Sequence, residues 1–160
     1  MNREGPTILI DILPASEANH RVMSRILVAV SSPWASQRVV DTVGDMAKRI
    51  GAEVLVAHVS RPSGGEMREQ EQADGESAVR LLSEKLAERG VAVQTLLMFS
   101  YDIARAILNT AVERDISLIV LGLTGKNVVA RLLAGNVPVE LLENTRIPVL
   151  LLPPDWAKPI

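Results

Sequence analysis

The chain has 160 residues, a length typical of one domain, and its formal net charge is −2. It contains no cysteine, which excludes disulfides, zinc–thiolate sites and thiol nucleophiles, and two histidines are too few to favour a histidine metal cluster. Aromatic residues make up only 2% of the chain, which disfavours a nucleic-acid interface built on stacking rings and a basic face. No segment has the pattern of a membrane span or a signal peptide, so we expect a cytoplasmic protein that does not contact the membrane.

The first 24 residues are predicted to be an extension that precedes the main domain. Residues 7–13 read Thr-Ile-Leu-Ile-Asp-Ile-Leu and stand between Pro6 and Pro14, so they have the composition of a short strand. The extension is either a loosely held terminus, an added edge strand or a contact for a partner, because an exposed apolar strand invites pairing.

The domain begins with a strand, a helix and a second strand. Residues 25–30 are an apolar strand, and Ser32 as N-cap with Pro33 in the first helical turn predicts a helix that Gly51 ends. Residues 53–59 form the next strand, and the intervening helix predicts a right-handed crossover with parallel pairing. The helix carries a stripe of apolar residues at three- and four-residue spacing, predicted to be buried: Val39, Val43, Met46, Ala47 and Ile50.

The middle of the chain changes from polar to periodic. Residues 60–75 are polar and lack an apolar stripe, so we interpret them as a loop whose second half could be helical. Residues 76–89 predict a helix that stops at Gly90, and residues 91–98 predict a third strand. Asp102 is a predicted N-cap for the next helix. That helix directs five apolar residues inward: Ile103, Ala104, Ile107, Leu108 and Ala111.

A glycine-bearing stretch follows the fourth predicted strand, residues 116–121. It begins Gly122-Leu123-Thr124-Gly125 and continues to Gly135-Asn136-Val137. Glycines let the backbone approach an anion, and the amides of such a loop and of the next helix can face a phosphate. The alternative is that these glycines only make turns.

The last predicted elements are a helix and a strand. Asn136 is a good N-cap, and Pro138 fits the first helical turn, so a helix is predicted over residues 136–144. Residues 147–152 are the fifth strand, and Pro148 indicates either that it stands at the entry to this strand or that the strand lies at an edge of the sheet.

The alternation of strands and helices predicts an α/β fold, a five-stranded parallel sheet with helices on both faces. We assign residues 25–154 to this domain and residues 155–160 to a short tail. In such folds ligands bind at the carboxyl ends of the strands, where the strand order reverses. Ser31, Val59 and Gly122 lie at three such ends, so one pocket could gather them.

Several enzyme motifs are absent from the sequence. It has no P-loop, no dinucleotide glycine motif after the first strand and no Gly-x-Ser-x-Gly. Ser31 and His58 could join a carboxylate in a triad, but no oxyanion element accompanies them, and His58 is interpreted as an ordinary strand histidine. Lys126 and Arg131 could neutralise phosphates or be solvated charges, and Trp34 could cover a base or pack at a surface.

The sequence resembles the universal stress protein family. The opening strand Ile-Leu-Val-Ala-Val at residues 26–30 is one part of the match. The other is Gly122-x-x-Gly125-x9-Gly135-x-Val137, with the apolar strands before and after it. The family usually has aspartate at the position of Ser31 and serine or threonine at that of Asn136.

The resemblance implies a Rossmann-like three-layer sandwich of the adenine nucleotide alpha hydrolase type that binds ATP or AMP, with or without Mg²⁺, as a homodimer acting in the stress response. Dimerisation would use Val149–Leu152. Residues carried over to the adenosine end are Ala29, Val30, Ser31 and Val59. Residues carried over to ribose and phosphates are Leu121, Gly122, Thr124, Gly125, Gly135, Asn136 and Val137.

Two other functions remain open for this fold. One is an interaction protein that dimerises without binding nucleotide. The other, which we rank last, is slow ATP hydrolysis, since the acids nearest to the glycine stretch, Asp115 and Glu140, are not convincing general bases. We therefore expect a binding module rather than an enzyme.

Overall fold

The computed structural model describes residues 24–31, 33–62, 66–122 and 137–153. These ranges contain a five-stranded parallel sheet in the order β3-β2-β1-β4-β5. Its strands are β1 (Arg25–Ala29), β2 (Glu53–Ser60), β3 (Val93–Phe99), β4 (Leu118–Gly122) and β5 (Val149–Leu152). The helices between them are α1 (Pro33–Ile50), α2 (Glu66–Glu88), α3 (Ile103–Glu113) and α4 (Val137–Asn144). The predicted α/β fold is confirmed.

The sheet is covered on both faces, which is why the middle residues of its central strands are apolar on both sides. One cluster joins α1 and α2 to alternate strand residues such as Ile26, Val54 and Val120. The other joins α3 and α4 to the intervening residues, such as Leu27, Leu55 and Ile119. Because strand side chains alternate between faces, each central strand contributes to both clusters.

The helices α1 and α2 end in the same way. Gly51 and Gly90 have φ values of +65° and +76°, as expected of residues that stop helices in the left-handed conformation. After each glycine the next amide donates back into the helix, Ala52 to Ala47 O at 2.8 Å and Val91 to Leu86 O at 3.1 Å. Val91 is therefore part of a helix cap, and β3 begins two residues later than predicted.

Two further predictions need correction. In residues 60–75, interpreted as a loop whose second half could be helical, the helix already begins at Glu66, so α2 starts ten residues before the predicted helix. The prediction that Ile50 is buried is wrong, because its side chain is 52% exposed at the last position of α1, where the chain already turns through Gly51. The prediction for Pro148 is confirmed: it directly precedes β5, which is an edge strand in the described sheet.

Candidate functional site

The carboxyl ends of three neighbouring strands form the floor of the candidate site. Ala29 of β1 is in register with Ala57 of β2 on one side and with Leu121 of β4 on the other. The helix α1, which follows β1, packs on one face of the sheet, whereas α4, the described helix after β4, packs on the opposite face. A crevice at this reversal is where parallel α/β sheets place their ligands.

The predicted site residues divide between the two faces of the sheet. Ala29, Val59, Leu121 and Val137 all belong to the cluster beneath α3 and α4, and Val137 is the first residue of α4. Val30 instead belongs to the cluster beneath α1 and α2. The structure thus brings residues from three strands and one helix to the end of the sheet where the strands have their carboxyl termini.

The positions next to the crevice differ in exposure. Ser31 lies two residues after the end of β1 and is exposed, so its hydroxyl is available to a ligand. Gly122 ends β4, and a Cβ at this position would lie 3.3 Å from Cγ1 of Val39 on α1. A side chain there would therefore crowd α1 as well as the space above the strand.

The end of β1 is fixed to β2 through both polar groups of the Val30 backbone. The Val30 amide donates to the carbonyl of Ala57 at 2.9 Å. The Val30 carbonyl lies 2.8 Å from Nδ1 of His58, and because a carbonyl can only accept, this ring nitrogen carries the proton. The floor of the site is thereby held in one geometry before any ligand binds.

His58 is buried, and its ring packs against α2 at Gly75. A Cβ at Gly75 would collide with three atoms of the imidazole. Nε2 is buried and has no hydrogen-bond partner among the described residues. The ring therefore acts through its packing and through its bond to Val30, and its geometry in the described chain is not that of a base on Ser31.

A groove of about 710 Å³ lies next to the carboxyl end of the sheet, between α3 and α4. Val137 belongs both to the groove and to the predicted site. The groove is lined by Arg61, Tyr101, Asp102, Ile103, Ala104, Arg105, Leu108, Asn109, Val112, Val137, Glu140 and Asn144. Pockets of this volume accommodate small molecules of nucleotide size.

The sequence-based prediction did not include Arg61 or Tyr101 of this groove. Arg61 follows β2 directly, and Tyr101 lies two residues after β3, so both stand at the carboxyl end of the sheet. Their position after a parallel strand is a signal that could have identified them. Tyr101 is 74% exposed, which leaves its ring free to cover a ligand.

The turn that carries Tyr101 is tightly bonded. Ser100 donates its amide to the carbonyl of Ser60 at 2.9 Å, which fixes the end of β3 to β2. Asp102 caps α3 by accepting from the Arg105 amide at 2.9 Å, as predicted. The Arg105 side chain lies 3.6 Å from the same carboxylate, so cationic and anionic groups are interleaved at this rim of the groove.

Part of the predicted site lies outside the described residues. This applies to Thr124, Gly125, Lys126, Arg131, Gly135 and Asn136, and to the predicted N-cap Ser32. In the described ranges, no group of three or more metal-ligating side chains comes together, and none of the helices there is long and apolar enough to cross a membrane.

Three structures of known proteins resemble this fold. A universal stress protein solved in complex with cAMP has a TM-score of 0.66 at 20% identity and covers 83% of this chain and 98% of its own. The Archaeoglobus fulgidus protein in complex with dAMP has a TM-score of 0.62 at 21% identity, covering 81% and 98%. An Arabidopsis thaliana family protein with AMP bound has a TM-score of 0.61 at 16% identity, covering 81% and 91%.

Sequence comparison identifies relatives over most of the chain. Universal stress protein YxiE of Bacillus subtilis is 26% identical over 148 residues, which are 82% of this chain and 99% of the relative. A universal stress protein of Methanocaldococcus jannaschii is 28% identical over 118 residues, or 68% of this chain and 69% of the relative. A family model described as "Universal stress protein family" matches residues 23–153. The chain therefore belongs to the universal stress protein family.

Proposed function

We propose that this chain is a nucleotide-binding module of the stress response that binds AMP or ATP as a homodimer. The observation that carries the proposal is the register of β1, β2 and β4. It brings Ala29, Leu121 and Gly122 together at the carboxyl ends of these strands, beside exposed Ser31. Relatives of the same fold have been solved with cAMP, dAMP and AMP, which supports an adenine nucleotide as the ligand.

In this proposal the adenosine lies over the ends of β1 and β2, and backbone amides after β4 hold the phosphates. Ala29, Val59 and Leu121 offer an apolar floor to the base, and Ser31 offers a hydroxyl to the sugar. The residues from Thr124 to Asn136 would then supply the amides, with Lys126 and Arg131 as candidate counter-charges. A role of Mg²⁺ belongs to the same proposal when ATP is the ligand.

We propose binding without turnover. Asp115 lies in the turn between α3 and β4, at the amino end of the sheet. The candidate site lies at the carboxyl end, on the opposite side of the sheet from Asp115. Glu140 is exposed in the first turn of α4. Neither acid occupies the floor of the site, and a hydrolysis assay with ATP would contradict this proposal if it showed release of phosphate in proportion to enzyme.

Thermal unfolding with added nucleotide tests the binding proposal. At a ligand concentration of 100 times Kd, binding stabilises the folded state by about 2.7 kcal/mol. For a domain of this size, that corresponds to a rise in Tm of about 5–10 °C. AMP and ATP should give a saturable rise, with GMP as the control ligand. Absence of a shift with every adenine nucleotide would contradict binding and leave the family assignment unchanged.

Substitutions at two positions, Ser31 and Gly125, test where the ligand binds. Ser31→Asp replaces a neutral hydrogen bond by a charge-assisted one, which is about twice as strong, so we expect binding about fivefold tighter. Ser31→Ala is the matched control and should weaken binding by no more than about tenfold. Gly125→Leu should abolish binding while the Tm without ligand stays close to that of the unsubstituted protein. Equal affinity in all four proteins would place the ligand elsewhere.

A further inference from the structure

The strand β3 forms an open edge of the described sheet. Its seven residues, Val93–Phe99, contain no charged residue, no proline and no glycine. Edge strands are usually protected by charges, proline or a covering segment, because their outer backbone groups can pair with another strand. The edge strand Val93–Phe99, called the β3 edge below, has none of the sequence-encoded protections.

The hydrogen-bond pattern identifies which residues of the β3 edge face outward. Val54 of β2 donates to the carbonyl of Ala92, and Ser100 donates to the carbonyl of Ser60. In a parallel ladder alternate residues bond to the same neighbour, so the even-numbered residues from 92 to 100 bond to β2. The backbone N–H and C=O groups of Val93, Thr95, Leu97 and Phe99 therefore point away from β2.

The same odd-numbered positions carry exposed apolar side chains. Leu97 is 48% exposed and Phe99 is 62% exposed, both on the sheet face that α2 covers. Leu96 and Met98, on the opposite face, are half-buried against the α3 cluster. An outward backbone and an adjacent apolar strip at the same residues match a strand whose apolar residues alternate.

Residues 7–13 of the same chain have an isoleucine at every second position. In an extended conformation Ile8, Ile10 and Ile12 would share one side of the segment, and Thr7, Leu9, Asp11 and Leu13 would share the other. The segment has the length of β3, and Pro6 and Pro14 bound it. Isoleucine is among the residues that strands favour most.

The geometry of the sheet allows this segment to reach β3. The described chain begins at Ser24, next to the amino end of β1. Residues 14–23 can span up to about 33 Å when extended. A strand added outside β3 would lie three strand spacings from β1, which is about 14 Å. A strand antiparallel to β3 would end at the amino side of the sheet, where Ser24 lies, so the connection need not cross the sheet.

The other edge of the sheet fits the segment less well. β5 has four residues against seven in β3, and Pro148 precedes it. Its last residue, Leu152, is buried, whereas Leu97 and Phe99 of β3 are exposed. Antiparallel edge strands on otherwise parallel sheets are also common among α/β proteins.

We propose that residues 7–13 add to the β3 edge of their own chain as an antiparallel sixth strand. Ile10 lies opposite Leu97, Ile8 opposite Phe99 and Ile12 opposite Thr95. In this register the isoleucines extend the apolar strip of Leu97 and Phe99, and each pair exchanges backbone hydrogen bonds at the outward groups of β3. A slip of one residue would move the isoleucines to the other face, so only registers offset by two are alternatives.

Cysteine cross-linking tests the proposal directly, because the chain contains no cysteine of its own. Ile10→Cys is combined in turn with Thr95→Cys, Leu97→Cys and Phe99→Cys. Opposed residues of a hydrogen-bonded antiparallel pair have Cα atoms about 5.5 Å apart, within the range of a disulfide. The pair of Ile10→Cys with Leu151→Cys on β5 is the control for the other edge.

We expect a disulfide within one chain, formed fastest with Leu97→Cys and at least about tenfold faster than with Leu151→Cys, seen as a monomer on a denaturing gel without reductant. A covalent dimer would show that the segment belongs to a second copy and would overturn the proposal. A faster reaction at Leu151→Cys, or no disulfide at any of the three β3 positions, would overturn it as well.

Hydrogen exchange on the full chain gives an independent test. Ile10→Lys places a charge on the apolar strip and should accelerate exchange of the Thr95, Leu97 and Phe99 amides by about tenfold or more. Asp11→Lys places the same side chain on the other face and is the matched control. The amides of Leu96 and Met98, which bond to β2, should keep their rates in both variants. Unchanged exchange at the outward amides in Ile10→Lys would contradict the added strand.

Discussion

At the residue scale, the contact between Gly75 and His58 reverses the usual effect of a helix glycine. Replacing a glycine by alanine in an exposed part of a helix usually stabilises a protein by about 1 kcal/mol. Here the added methyl group meets the buried imidazole, which the Val30 carbonyl holds in place. We therefore predict that Gly75→Ala lowers the free energy of unfolding by about 1–3 kcal/mol, measured by urea denaturation.

The double variant provides the control for this prediction. In a protein that already carries His58→Ala, the methyl group has room, so Gly75→Ala should then be neutral or stabilising. The two substitutions are thus expected to be strongly coupled. Additive effects would show that the collision with the ring is not the cause of the loss.

Asp115 is the residue-scale counterpart of the helix-ending glycines. Its φ is +51°, and the Ile116 amide donates to Ala111 O at 2.8 Å, so α3 ends by the same bonding pattern as α1 and α2. An aspartate in the left-handed conformation is less favourable than glycine. We predict that Asp115→Gly raises the free energy of unfolding by about 0.5–1 kcal/mol in thermal or urea melts.

The reverse exchange is the matched control for Asp115. Gly90→Asp introduces the same side chain at a position with φ of +76° and should lower stability by a similar amount. If Asp115→Gly were neutral while Gly90→Asp was destabilising, local bonds of the Asp115 side chain would have to offset its backbone conformation.

At the element scale, α3 shows what a sequence pattern can predict. Asp102, followed by apolar residues at three- and four-residue spacing, predicted both the start and the buried face of this helix. We predict that Asp102→Ala costs about 1 kcal/mol of stability, because the Arg105 amide loses its acceptor. Asp102→Asn keeps an acceptor and should cost much less. Equal losses in urea melts would contradict a capping role.

The helix α2 shows where such patterns fail. Its first ten residues are polar and have no apolar stripe, so periodicity could not predict them. One tertiary contact supports this part of the helix, because Gly75 is buried against His58. Within the helix, Gln70 and Gln72 also donate at 2.8 Å to Asp74 and Glu76 one turn later. The groove was missed for a related reason, since Arg61 and Tyr101 are ordinary loop residues until the fold brings their strand ends together.

At the scale of the whole molecule, the two edges of the sheet have different proposed partners. In β5 the carbonyl of Pro148 accepts from Ile119 of β4, so the backbone groups of Val149 and Leu151 point outward. This edge is the proposed homodimer contact. We predict that Leu151→Lys yields a monomer by sedimentation equilibrium, because the charge would be buried between two copies.

Leu97→Lys on the opposite edge is the control for the dimer. It introduces the same charge on β3 and should leave the sedimenting mass at that of a dimer. Circular dichroism of both variants verifies that they fold. A monomer in the unsubstituted protein, or a dimer in Leu151→Lys, would contradict dimerisation through β5.

The hydrogen bonds of the Val30 backbone bear on which parts of the site would change when a ligand binds. Both polar groups of its backbone are engaged by β2, and Ala29 is in register with strands on both sides. Such a platform needs little reorganisation when a ligand arrives, which favours affinity. If the proposed nucleotide binds here, we therefore expect any change on binding in the connections that leave the carboxyl ends of the strands rather than in the strands themselves.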